Sequence, residues 1–209
     1  MVVSACEVTG KTPDGDPLLI FYGRHTIFSN FHLAGITIFG MKFSCSEGYY
    51  QWSKAVQFGS WELADKIRLA ESPAVQRKIG QTVPRFDKDK WRKICDGVME
   101  TAVRAKFGQH SSLRKQLIDT WPARLVEGSP IDSYWGIGLS RFSQAALTPS
   151  RWLGRNRLGD ILCKIREELM TGTPVFQSHF DMHHGRSGPA AIDSFDVQVP
   201  YTTLTRNSK

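Results

Sequence analysis

Apolar residues recur at every third or fourth position in four stretches of this chain. Tyr49, Trp52 and Val56 form the first stripe. Trp91, Ile94, Cys95, Val98, Ala102 and Ala105 form the second, Leu113, Leu117 and Ile118 the third, and Leu158, Ile161, Leu162, Ile165 and Leu169 the fourth. This is the period of a helix with one face in a core. Elsewhere apolar residues bunch into short runs. Leu18 to Tyr22 and Arg124 to Glu127 read as strands, and residues 36–43, β-branched and aromatic around Gly40, as a hairpin or bent strand.

Start and stop signals set the boundaries. The first helix ends near Phe58-Gly59, and Ser60 caps a second over 61–70. Ser72-Pro73 opens a short third helix that Gly80 stops. Asp87 caps a longer helix over about 88–107, ended by Gly108, and Ser111 or Ser112 starts the next. Residues 1–17, with Pro13, Gly15 and Pro17, read as a loose arm. Residues 18–170 read as one domain. Periodicity is lost after Gly172-Thr173-Pro174, so 171–209 reads as a flexible tail. Strands and helices do not alternate regularly. The expected fold is therefore α+β, mainly helical with a few short strands, and not a doubly wound sheet.

Composition narrows the class. A chain of 209 residues with 41% hydrophobic and 22% charged residues supports one domain with a real core. No apolar run approaches a membrane span, and no basic region followed by an apolar stretch opens the chain, so neither a membrane partner nor a signal peptide is expected. Cys6, Cys45, Cys95 and Cys163 are scattered without a C-x-x-C pair. That pattern predicts reduced thiols in a cytoplasmic setting, with the nucleus left open, and no structural zinc site. The formal net charge is +7, while residues 171–209 balance Arg186, Arg206 and Lys209 against Asp181, Asp193 and Asp196. The excess lies in the body and favours anionic partners, either phosphorylated small molecules or nucleic acid.

The first helix carries the most chemistry. Glu47, Tyr50, Gln51 and Lys54 fall on one side of it, since seven residues turn the helix by about 700° and rise about 10.5 Å. An acid and an amine so spaced can line two ends of one pocket. A structural reading stands beside this. Ser44 and Glu47 fit a capping box, and Lys54 can lay its stem over Trp52.

Three other segments carry polar groups in unusual company. In Ser129–Gly138 an acid, Asp132, precedes Trp135-Gly136-Ile137-Gly138, which places a carboxylate and a large ring where backbone can approach a ligand. The same segment also reads as a turn in which Asp132 caps local amides. Asn30 sits between Phe28 and Phe31, in a turn or in a site. Arg155 and Asn156 lead into the last helix, where they can hold phosphate or, through Asn156, cap the helix. His179, His183 and His184 cluster in the tail without a helical pattern, and read as solvated rather than metal-binding. There is no P-loop and no Rossmann glycine fingerprint.

Taken in order, these pieces resemble the YbiA-like, or NADAR, family. The matching segments are Phe28-Ser29-Asn30-Phe31, Glu47 through Lys54-Ala55, Trp91, Lys106-Phe107, Leu125-Val126-Glu127, Asp132 with Trp135-Gly136-Ile137-Gly138, and Gly154 with Asn156 and Leu158-Gly159. They run from about Phe21 to Leu169. Two positions depart from the family pattern. Gly48 stands where a bulkier residue is usual, and Thr120-Trp121 replaces Thr-Gly.

The resemblance implies an N-glycosidase that needs no cofactor and no metal. It would hydrolyse the C–N bond between ribose or ADP-ribose and a nucleobase-like amine. ADP-ribosyl-guanine in nucleic acid and a phosphoribosylamino-pyrimidine of riboflavin synthesis are the implied substrates. On that reading Lys54 is a nucleophile, with Glu47 and Asp132 as acid/base and charge-stabilising groups. Trp91 and Trp135 would stack on base or sugar, and Asn30, Arg24 and Asn156 would orient ribose hydroxyls or phosphate. Tyr50, Gln51 and Gly136 complete the expected substrate wall. The alternative is a non-catalytic module that binds ADP-ribose or nucleotides in the same pocket. A plain nucleic-acid binder, held by charge alone, is the third reading.

Overall fold

The computed structural model describes residues 4–172. Its elements run β1 (Glu7–Lys11), β2 (Pro17–Phe21), β3 (Ile36–Ile38), β4 (Met41–Phe43), α1 (Ser46–Gln57), α2 (Trp61–Leu69), α3 (Pro73–Gly80), α4 (Lys88–Arg92), α5 (Cys95–Gln109), α6 (Ser111–Ile118), β5 (Arg124–Glu127) and α7 (Arg157–Met170). The fold is α+β and mainly helical, as the periodicity predicts. Two 3-10 turns, Gln144–Leu147 and Pro149–Arg151, interrupt the long segment between β5 and α7.

β2 is the middle of a three-stranded sheet of order β1-β2-β5, antiparallel to β1 and parallel to β5. Its alternate residues serve two cores, which explains an unbroken apolar run instead of an in-out pattern. Leu19 and Phe21 face the main cluster with Leu125, Phe107 and the α5 and α7 stripes. Leu18 and Ile20 face a smaller one with Val126, Ile137 and Ala146. Burying side chains of this size contributes about 1.5–3 kcal/mol each. α5 lies at the centre, against α1, α6, α7 and β3.

The structure corrects several boundaries. Residues 7–11, expected within a loose arm, form the edge strand β1, because the turn at Gly15, with its positive φ, folds them back onto β2. The helix expected over 88–107 is two helices. Asp87 caps the first as predicted, its Oδ1 accepting from the amides of Asp89 and Lys90 at 3.0 Å. The chain then tightens at Lys93 and Ile94, whose amides bond three residues back to Lys90 and Trp91. The break gives Trp91 an axis of its own, apart from the stripe on α5. Gly108 does not stop α5, which continues to Gln109. The capping box is also absent: the residue before α1 is Cys45, and Ser44 Oγ accepts instead from Gln76 Nε2 at 2.9 Å.

Both departures from the family pattern have a physical counterpart. A Cβ at Gly48 would lie 2.9–3.1 Å from the Gln76 amide group, so glycine lets that buried side chain lie against α1. Thr120 Oγ1 accepts from Arg166 at 2.7 Å, and Trp121 lies exposed with the Arg166 guanidinium over its ring. The tail expected over 171–209 lies, beyond Gly172, outside the described residues, as does the histidine cluster at 179, 183 and 184. Among the described residues no helix is long and apolar enough to cross a membrane.

Candidate functional site

α1 presents its polar face inward. Glu47, Tyr50, Gln51 and Lys54 are all buried, with Glu47 at 6% and Lys54 at 9% exposure. The apolar stripe beside them anchors the helix: Tyr49 and Trp52 both pack on Phe43, with ring centroids 5.3 and 5.5 Å away. Lys54 does not lay itself out over Trp52 into solvent. Its ammonium sits 5.4 Å from the centre of the Phe86 ring.

The polar groups on this face are coupled. Gln51 Nε2 donates to Glu47 Oε1 at 2.8 Å. Burial pushes the Glu47 carboxyl up. The Gln51 bond and the charges of Arg77 and Lys54 oppose that shift, and Asp132 adds to it. Burial pulls the Lys54 amine down, opposed by Glu47 and aided by Arg77. Glu47 is thus in the field of Lys54 on α1, Arg77 on α3 and Asp132 on the loop after β5.

That loop is laced to the approach to α7. Asp132 Oδ1 accepts from the amides of Tyr134 and Trp135 at 2.9 and 2.8 Å, the local cap that the turn reading expects. Both bonds use one oxygen, and Oδ2 takes none among the described residues. The amides of Leu153, Arg155, Asn156, Arg157 and Leu158 then bond back to carbonyls of residues 133–137. A Cβ at Gly154 would lie 2.3 Å from the Gly136 carbonyl oxygen, so the two segments touch backbone to backbone.

Two groups here were not among the expected site residues. Glu127, at the end of β5, is pushed up to about 8 by burial and then by Asp132 and Glu47, with Arg77 opposing. Its Oε2 is buried with no hydrogen-bond partner among the described residues. Burial and the neighbouring carboxyls thus bias Glu127 toward its neutral form. Its sequence signal is the Leu125-Val126-Glu127 segment. Arg77, in the last turn of α3, gives no sequence signal beyond a cation near a helix end; its guanidinium lies 6.0 Å from the Phe31 ring.

Lys106, within a quoted family segment, is buried at 2% exposure. It donates to the carbonyls of Ile27 and Ser29, and burial pulls it down to about 7. It thus holds the turn that carries Asn30, whose carbonyl accepts from the Glu47 amide at 3.0 Å. Asn30 is buried beside the start of α1, tied there through its backbone.

The aromatic residues form a wall. Trp91 Nε1 donates to the Tyr50 hydroxyl at 2.8 Å, and the Trp135 ring meets Tyr50 edge-on at 5.6 Å. Trp91 is only 5% exposed with its N–H satisfied, so it supports Tyr50 instead of offering a face to a base. Trp135 is partly open. Arg24 stands apart. It is exposed, bonds His25 at 3.1 Å, and lines a cavity of about 520 Å3 with His25, Phe31, His32 and the start of α3. Glu47, Lys54 and Asp132 are not in that cavity's wall; Phe31, under Arg77, is the link between the two.

Two expectations are corrected. Asn156 has no free side-chain atom to orient a ribose or phosphate: Oδ1 accepts from the Glu127 amide at 2.9 Å, and Nδ2 donates to the Leu125 carbonyl at 3.0 Å. It does not cap α7 through its side chain either, and it adopts a left-handed φ of 54°. Its place is as a strut that fixes β5, and so Glu127, against α7. Gly136 is likewise buried under the Glu127 and Asp132 carbonyls, where a Cβ would come within 2.8–3.0 Å of them, and its small size serves backbone packing, not ligand approach.

The model of the NADAR domain matches residues 20–170, a span holding every one of these groups. The chain belongs to the NADAR family. Protein irg-1 of Caenorhabditis elegans is 31% identical over 169 residues, covering 73% of this chain and 80% of that one. The N-glycosidase YbiA of Escherichia coli (strain K12) is 34% identical over 157 residues, or 74% of this chain and 89% of its own. The NMR structure of E. coli YbiA matches with a TM-score of 0.63 at 31% identity, over 84% of this chain and 95% of that one. In this NADAR domain no three His, Cys, Asp or Glu side chains among the described residues converge to hold a metal ion.

Proposed function

We propose that this chain is an N-glycosidase that cleaves the C–N bond between a ribosyl group and a nucleobase-like amine. The observation that carries the reading is the buried acid–amine pair Glu47 and Lys54 on one helix face. It shares its electrostatic neighbourhood with Asp132, Glu127 and Arg77, in a chain similar to a named N-glycosidase.

Cleavage needs positive charge stabilised at the anomeric carbon and a proton for the departing base. Lys54 is the nucleophile. Its burial favours the neutral amine, which an exposed lysine does not supply at neutral pH. The amine nitrogen bonds to the anomeric carbon as the bond from that carbon to the base nitrogen breaks, its electron pair leaving with the base. Glu127, biased toward its neutral form, gives that nitrogen a proton. Glu47 and Asp132 stabilise the positive charge on the sugar. The secondary ammonium formed on Lys54 returns a proton to Glu127, and the ring oxygen takes that proton as the ring opens to a protonated Schiff base. Water then adds to the C=N bond, releasing the sugar as an aldehyde, giving a proton back to Glu127 and restoring the Lys54 amine. Tyr50 and Trp135 wall the sugar.

The substrate carries a phosphorylated ribose, in keeping with the positive net charge. An ADP-ribosylated guanine in nucleic acid and a phosphoribosylamino-pyrimidine are the two candidates. Four free cysteines and the absence of any spanning helix among the described residues fit a cytoplasmic setting. The test is incubation with both substrates, reading released sugar by mass spectrometry. Release from either supports the reading. Tight binding of both without release points to the non-catalytic module.

A further inference from the structure

A second cavity, of about 360 Å3, has no α1 residue in its wall. Arg92, Ser133, Tyr134, Trp152, Gly154 and Arg155 line it. Two guanidinium groups converge on one ring there. The Arg92 carbon lies 4.2 Å from the Tyr134 ring centre, and that of Arg155 lies 5.6 Å from it. Neither arginine forms an ion pair among the described residues. The acid at hand, Asp96, is already taken by Arg157 at 2.9 and 2.5 Å and by the Tyr134 hydroxyl at 2.8 Å. The next acid round, Asp160, pairs with Arg124, whose guanidinium lies 4.8 Å from the Trp152 ring.

The arrangement is fixed from below. The Arg155 amide bonds the Ser133 carbonyl at 3.0 Å, and the Trp152 indole bonds the Ala146 carbonyl at 2.9 Å, so both walls rest on backbone. Two like charges beside one ring repel each other, both side chains are exposed, and the cavity wall holds no carboxylate to pair with them. An anion with several acceptor oxygens would accept from both forks.

We propose that the Arg92–Tyr134–Arg155 cavity binds a phosphate or pyrophosphate group. Aromatic contacts connect it to the α1 face, since Tyr134 meets Trp135 at 5.0 Å and Trp135 meets Tyr50 at 5.6 Å. The phosphate belongs either to the substrate of the proposed reaction or to a separate anion, and the two arms of one experiment tell these apart.

The first arm titrates the full chain with inorganic pyrophosphate by calorimetry at low salt. The wild type binds, Arg92→Gln with Arg155→Gln weakens binding at least tenfold, and Arg24→Gln, in the other cationic cavity, leaves it unchanged. The second arm measures KM and kcat for the phosphoribosyl substrate on the double variant. A raised KM with kcat retained assigns the phosphate to the substrate. An unchanged KM with lost pyrophosphate binding assigns it to a separate anion. The proposal is overturned if the double variant binds pyrophosphate as the wild type does, if Arg24→Gln is the change that abolishes binding, or if the wild type shows no binding at millimolar pyrophosphate. The first arm needs no turnover, so it stands even if the proposed glycosidase activity fails.

Discussion

Gln51 donates its amide to Oε1 of Glu47 at 2.8 Å, one turn along α1, while its own Oε1 lies buried without a partner among the described residues. The side chain is held in place by close packing: a Cβ built at Gly80 would lie 2.0 Å from that oxygen and 2.7 Å from Cδ. A hydrogen bond to a charged group is worth about 1.5–3 kcal/mol. Gly80→Ala therefore displaces the Gln51 amide and removes a group that opposes the rise in the Glu47 carboxyl. The expected result is a fall of about tenfold or more in kcat/KM, with the acid limb of the pH profile moved to higher pH and the far-ultraviolet circular dichroism unchanged. An unmoved acid limb would show that Gln51 does not tune Glu47.

Lys54 tests the nucleophile directly. Its ammonium loses solvation by burial, and Arg77 adds like-charge repulsion, so the neutral form is reached at lower pH than in an exposed lysine. Borohydride added during turnover would trap a covalent sugar adduct, located by peptide mass mapping at Lys54. Lys54→Met would abolish both adduct and sugar release while leaving a folded protein, since a thioether side chain fits beside Phe86. Release at the wild-type rate by Lys54→Met removes the nucleophile from the mechanism.

Glu127 makes a stability prediction with a definite sign. Its carboxyl is raised from 4.5 to about 8 on folding. Between those values the folded state holds a proton that the unfolded state has released, so rising pH favours unfolding across that window. The penalty is absent below pH 4.5 and complete above about 8. Glu127→Gln keeps the shape and cannot ionise. Its melting temperature relative to wild type is expected to be similar at pH 4.5 and to rise through pH 8, where it exceeds wild type. The same variant lacks the proton proposed for the departing base, so its sugar release is expected to fall about 100-fold. A melting difference that does not change with pH would place Glu127 in its ionised form.

The fold was legible in the chain because its signals are local. Helical stripes and caps such as Asp87 act within a few residues, and they located α1 to α3, α6 and α7 closely. What sequence misjudged depends on contacts far along the chain. β1 is a strand only because Pro17–Phe21 pairs with it. The break between α4 and α5 accompanies the Trp91 bond to Tyr50, 41 positions away. In the site, Glu47 and Lys54 were readable from helical spacing on α1. Arg77 was not, because its place depends on how α3 packs against α1. Asn156 misled for a similar reason: an asparagine before a helix reads as a cap, and nothing local shows that β5 has taken its side chain.

Asn156 gives the last test. Its side chain bonds the Glu127 amide and the Leu125 carbonyl, and its φ of 54° lies in the left-handed region, where asparagine and glycine are tolerated best. Asn156→Gly keeps the backbone at low cost and loses both bonds, whereas Asn156→Ala also adds strain. Each buried backbone group left unpaired costs about 1–3 kcal/mol, so urea denaturation is expected to show Asn156→Gly, which leaves two such groups, destabilised by about 2–6 kcal/mol. Asn156→Ala should be worse by about 1 kcal/mol. The functional readout separates a strut from a substrate contact. At a temperature where Asn156→Gly remains folded, KM is expected to stay within about twofold of wild type while kcat falls, because Glu127 loses its fixed position. A large rise in KM with kcat intact would instead return Asn156 to the substrate wall.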